Sequence, residues 1–212
     1  MSNQEGGKKN LGLPSDKTLQ QAVKLSIKTA KPICFYFYVD SLKKKISICS
    51  DGEDKIIFKN QKIYKGEKNA DIYIKSPKKI KPINCPTKFN SGAIDEFLLI
   101  FLVAARAKGI SYFKDLSELN QKESPRLKWG EKILNLMGIK TLSTESSIKI
   151  FGNPNLKINN KIIIKNYLKD HRVFMTSVIA ALSFGGQWDI HDKDSIKTSF
   201  PNFLNIIRDL KK

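Results

Sequence analysis

Hydrophobic and polar positions along the chain change period several times, and each change marks an element. Over residues 15–31, "SDKTLQQAVKLSIKTAK", Leu19, Ala22, Val23 and Ile27 recur at helical spacing behind Ser15, a residue suited to an N-cap. "ICFYFYVD" (33–40) and "ISICSDG" (46–52) alternate with period two about the turn "SLKKK", and "KIIFKN" (55–60) follows, which predicts a short β-meander. Residues 1–14 are polar and read as a loose tail.

From residue 64 the rhythm becomes an alternation of strands and helices. "ADIYIKS" is strand-like and "SPKKIKPINCP" is a proline-rich connection. "AIDEFLLIFLVAARAKG" (93–109) predicts a helix closed by Gly109, and "ISYFKDL" a strand. "LNQKESPRLKWGEKILNLMG" (119–138) carries the next helix, with Ser124 as N-cap, Pro125 at the first helical position and Gly138 as the stop. Strands "IKTLST" and "SIKIFGN" follow. The order then begins again with strand "NNKIIIKNY", helix "DHRVFMTSVIAALSFGG", strand "QWDIHD" and helix "FPNFLNIIRDLKK". The pattern is a repeated β-α-β-α unit whose second copy stops before its closing strand pair, leaving a sheet edge to cover. "ICFYFYVD" or "ISICSDG" is expected to fill that edge.

Composition narrows the class. With 212 residues, 41% hydrophobic, the chain can bury one sizeable core. The formal charge of +18 suits an anionic partner, but the lysines are spread along the chain and A/T-rich codons account for their excess, so nucleic acid is not expected. Cys34, Cys49 and Cys85 form no CxxC pair and read as idle thiols in a reducing compartment. "MSNQEGGKKN" has no apolar signal core, and "FLLIFLVAA" is too short to span a bilayer and follows two acids, so a cytoplasmic chain without membrane contact is expected.

Candidate chemistry gathers at three helix starts: Asp95-Glu96, Lys122-Glu123 with Arg126, and Asp170-His171-Arg172. Acids at a helix start ordinarily do no more than complement the dipole. Arg126 and Arg172 oppose it and need a carboxylate or a bound anion beside them. If repeated units point their helices the same way, the three clusters share one surface able to hold a multiply anionic ligand and move protons on it. His171 and His191 lack the partners and spacing of a zinc site, and His191 falls in a turn. There is no glycine-rich phosphate loop and no nucleophile elbow.

"GEKNADIYIKS", "AIDEFLLIFLVAARAKG", "LNQKESPRL", "KDHRVFMTSVIAAL" and "KTSFPNFL" resemble, in order and spacing, the C-terminal part of EPSP synthase (3-phosphoshikimate 1-carboxyvinyltransferase) over about residues 64–212. The resemblance implies an α/β fold: a partial lobe of βαβαββ units with helix N-termini facing a cleft, preceded by a small α+β segment at 15–63. It implies transfer of the enolpyruvyl group of phosphoenolpyruvate to the 5-hydroxyl of shikimate 3-phosphate, with neither metal nor organic cofactor. By resemblance Asp95 contacts the shikimate hydroxyls and helps remove the 5-hydroxyl proton, and Glu123 shuttles a proton at the methylene carbon with Lys122 beside it. Arg126 and Arg172 hold phosphoenolpyruvate near His171, and Lys197 matches the family's lysine ahead of its Phe-Pro pair. Pro125 stands where the family has Asp. The first lobe has no counterpart here, so the expected partners are the two substrates and a first lobe on another chain, and turnover by this chain alone is not expected. The alternative from a different class is a non-catalytic basic module that binds nucleic acid or another polyanion.

Overall fold

The computed structural model describes residues 36–39, 44–47, 56–64, 67–74 and 79–209. The helix expected over 15–31 lies outside these residues. Nine strands and five helices are described: β1 (Tyr36–Val39), β2 (Lys44–Ser47), β3 (Ile56–Tyr64), β4 (Glu67–Ile74), α1 (Asn90–Ala93), α2 (Phe97–Ala105), β5 (Gly109–Phe113), α3 (Arg126–Leu136), β6 (Thr141–Ser143), β7 (Ile148–Gly152), β8 (Lys161–Ile164), α4 (His171–Phe184), β9 (Gln187–Ile190) and α5 (Phe203–Asp209). The α/β order from residue 64 onward is the one the hydrophobic pattern predicts.

The strands pair locally. β5, β7 and β6 form an antiparallel sheet in that order, and β8 pairs parallel with β9 across the α4 crossover. β3 pairs with β4, and β1 pairs antiparallel with β2. The expectation that β1 or β2 covers the edge of the repeated units is therefore not met among the described strands. Neighbouring strands close a short loop at little entropic cost, and that local pairing wins over a distant edge. Lys44 and Lys45, expected in a turn, already belong to β2.

α2 is the centre of the core. All nine of its residues, "FLLIFLVAA", are buried, as a helix apolar on every side must be. It packs on β7, α3 and α4. The rings of Phe97, Phe101 and Phe113 meet at centroid distances of 5.3 to 6.0 Å. Each such side chain contributes about 1.5–3 kcal/mol on leaving water. α3 approaches so closely that a Cβ on Gly130 would lie 2.6 Å from the Phe101 ring. α2 ends at Ala105 rather than at Gly109. Gly109 instead opens β5 with φ +134°, where a side chain would collide with Pro82.

Helix direction is what builds the site. At one end Arg106, just past α2, donates from Nη2 to the Ser183 carbonyl near the end of α4 (2.6 Å) and lies 4.1 Å from the Phe184 ring centroid. At the other end Arg172, in the first turn of α4, donates from Nη1 to Glu96 Oε1 (2.9 Å) immediately before α2. The two helices thus run parallel. The start of α3 joins the same end through Arg126.

Candidate functional site

Arg126 is the first helical residue of α3 and is almost wholly buried, with 2% of its surface exposed. Its Nε donates to Asp170 Oδ2 (2.9 Å), its Nη1 to Asp95 Oδ1 (2.9 Å), and its Nη2 to Glu123 Oε2 and, at 3.4 Å, to Asp170 Oδ1. One guanidinium therefore ties together the starts of α2, α3 and α4. The convergence expected from the repeats is present. The anion that justifies Arg126 against the helix dipole is here a set of the protein's own carboxylates.

Asp170 is the hub beneath it. Its extended backbone makes it the N-cap of α4, where Oδ1 accepts from the Arg172 N–H at 2.8 Å. Oδ2 accepts from Ser124 Oγ at 2.8 Å as well as from Arg126. This corrects the reading of Ser124 as an N-cap: Pro125 holds that position with no side-chain bond, and the buried Ser124 hydroxyl reaches across to Asp170 instead. Burial alone would raise the Asp170 pKa. The Arg126 bond and charge, Ser124 and the Arg172 N–H together reverse that and hold it below its ordinary value.

The remaining expected residues divide. Arg172 is buried and donates from Nη1 to the Asp95 carbonyl oxygen (3.0 Å) and to Glu96, with Asp95 Oδ2 3.7 Å from its Nη2. His171, half-buried at the first position of α4, has its pKa lowered by burial first; Asp170 and Glu123 pull it up, and Arg172 and Arg126 push it down. Lys122 stands beside the cluster but pairs with Glu118 Oε1 at 3.1 Å. Lys197 is exposed and pairs with Asp194 at 3.1 Å; no bond links it to the cluster among the described residues. His191 follows β9 and its imidazole lies 3.5 Å from Asp189; no side-chain bond links it to the cluster among the described residues. Cys85 is partly buried, which pushes its thiol pKa up, in keeping with an idle thiol.

The partner of Glu96 and the whole of Tyr167 escape a sequence reading. Glu96 serves Arg172 rather than capping α2. Tyr167 fixes the approach to Asp170: it is buried, donates its hydroxyl to the His191 carbonyl, and meets Trp129 edge-on at 5.8 Å. Burial pushes its pKa up to about 12. Around it Asn166, Leu168 and Lys169 all adopt positive φ (56° to 63°), a costly run for non-glycine residues that leads directly into Asp170. The asparagine alone is a sequence hint, since it tolerates this conformation better than the other two.

These groups predict a two-step loss of stability in acid. A His171 pKa lowered from 6.5 gives a contribution fully present above about pH 6.5 and lost as the pH falls toward its folded value. An Asp170 pKa lowered from 3.8 gives one present above about pH 3.8 and lost as the pH falls through its own lowered value. Urea unfolding from pH 8 to 2 is expected to show both declines, with His171→Gln flattening the first. Wild-type stability that stays level between pH 7 and 5 would contradict the placement of His171.

Comparison with known proteins adds the following. The family described as EPSP synthase (3-phosphoshikimate 1-carboxyvinyltransferase) matches residues 52–207. A 3-phosphoshikimate 1-carboxyvinyltransferase of Ruthia magnifica subsp. Calyptogena magnifica is 40% identical over 147 residues, covering 69% of this chain and 33% of that protein. One from Clostridium tetani is 34% identical over 172 residues, covering 81% and 37%. The solved EPSP synthase of Acinetobacter baumannii superposes with a TM-score of 0.71 at 27% identity, over 91% of this chain and 45% of its own. The chain spans about a third of the length of the curated relatives it matches. The family match opens at residue 52, ahead of the start near 64 read from the motifs. The likeness therefore runs into the segment that sequence patterns alone set apart.

Proposed function

The chain belongs to the EPSP synthase family, and from that premise we propose that its clustered helix starts form the phosphoenolpyruvate side of an enolpyruvyl transfer site that works with shikimate 3-phosphate. The observation that carries this reading is Arg126, buried where three helix starts meet and bonded to a carboxylate from each of their leading segments. An arginine held in this way is fixed in position before any ligand arrives.

In this proposal the 5-hydroxyl oxygen adds to C2 of phosphoenolpyruvate while C3 takes up a proton. C3 then gives up a proton as the C2–O bond to phosphate breaks, which returns the enol ether and releases inorganic phosphate. Asp95, a third exposed, accepts the hydroxyl proton. Glu123, on the open side of the cluster, moves the proton at C3. Arg126 and Arg172 face the carboxylate and phosphate of phosphoenolpyruvate. Lys122 adds positive charge as its bond to Glu118 gives way. The neutral form favoured at His171 supplies a hydrogen bond without a further charge. Lys197 belongs to the proposal on its motif alone.

The test is phosphate release from phosphoenolpyruvate and shikimate 3-phosphate, by this chain alone and with the rest of a relative supplied separately. Release in the mixture that disappears with Glu123→Ala supports the proposal. Release that is unaffected by Glu123→Ala overturns it.

A further inference from the structure

We infer that Glu123 is an internal anion, occupying Arg126 in the unliganded chain and displaced when an anionic ligand binds. The inference rests on the site reading above and adds a control that reading lacks: the chain competes with its own ligand.

The bonds at Arg126 rank the three carboxylates by how easily each can leave. Asp170 has no exposed side-chain surface, caps α4 and also accepts from Ser124, so removing it would break three connections at once. Asp95 is one-third exposed and shared, 2.9 Å from Arg126 and 3.7 Å from Arg172. Glu123 is 53% exposed, and among the described residues its one ion pair is with Arg126. It sits three residues ahead of Arg126, so turning its side chain toward water moves no backbone and exposes Nη2. Solvated contacts of this kind are weak and reversible, whereas the buried pair to Asp170 is not.

Charge leads to the same residue. Among the described residues the Arg126 guanidinium already faces three carboxylates, Asp95, Glu123 and Asp170, so an arriving anion meets negative charge at the same donor. Swinging Glu123 out both frees an Nη2–H and lowers that repulsion. The incoming group must itself be an oxyanion able to accept the Nη2–H that Glu123 leaves.

The experiment uses the full chain and sulfate, a dianion that does not titrate between pH 5 and 8, with the Arg126 Nε–H signal followed by NMR. Glu123→Gln is expected to bind sulfate about tenfold more tightly than wild type, the scale of one charge contact in a partly solvated setting. Glu123→Ala should do the same, which covers any misfolding peculiar to either variant. Glu145→Gln, which removes an equal charge paired with Lys128 but no bond to Arg126 or Lys122, should stay within about twofold of wild type. Equal affinity in wild type and Glu123→Gln, with the Arg126 signal moving in both, overturns the inference and leaves the anion site standing. An equal gain in Glu145→Gln overturns it by showing a general field effect. An Arg126 signal that moves in no variant overturns the site reading and this inference with it.

Discussion

Replacing Asp170 by alanine is expected to destabilise the chain by about 3–5 kcal/mol, the range for breaking a buried ion pair from one side. The substitution removes the acceptor of Arg126 Nε, the acceptor of the Ser124 hydroxyl and the N-cap of α4 together. Arg126 would stay buried with only the more exposed Asp95 and Glu123 to balance it. A domain holds about 5–15 kcal/mol in all, so much of the margin would be lost. Asp170→Asn keeps an oxygen at the cap and should fall between alanine and wild type. Glu123→Ala breaks a half-solvated contact and should cost no more than about 1 kcal/mol. Urea midpoints for the three variants give the comparison. Equal costs for Asp170→Ala and Glu123→Ala would mean that Asp170 is not the hub.

Turnover by the 212-residue chain on its own is expected to be undetectable. The proposed reaction needs two anionic substrates fixed against each other with water excluded, and the chain spans about a third of its curated relatives. Positioning supplies about 7–11 kcal/mol of barrier lowering where it operates, so its loss slows the reaction by roughly five to eight orders of magnitude. Adding the rest of a relative as a separate chain should restore phosphate release, and Glu123→Ala should then remove it. Clear turnover by the chain alone would show that these residues suffice for a complete site.

How much of this could be read in the sequence follows from how local each signal is. Asp170 as an N-cap and the stop at Gly138 depend on residues within one or two turns and take the expected form, while the apolar core helix lies where expected but ends at Ala105, short of Gly109. The need for a carboxylate beside Arg126 was also legible, because an arginine at a helix start opposes the dipole wherever it occurs. Which carboxylate was not, since Asp170 lies 44 residues further on and only the parallel packing of the helices brings it there. Ser124 shows the same limit. Its local pattern fits a cap, but a buried carboxylate across the cluster is the stronger acceptor for its hydroxyl. The positive-φ run around Tyr167 leaves almost no trace in residue type, because burial and the bond to the His191 carbonyl impose it.

The alternative of a non-catalytic basic module has its own measurement: salt-dependent retention on DNA with no response to phosphoenolpyruvate would favour it.

The most direct test of the central claim is titration of the chain with phosphoenolpyruvate while NMR follows the Arg126 side-chain N–H and the His171 imidazole. Saturable movement of both signals is predicted, with a dissociation constant on the order of 1 mM, as suits part of a site lacking its opposing surface. Movement confined to exposed lysines, with Arg126 and His171 unchanged at saturation, would contradict the account.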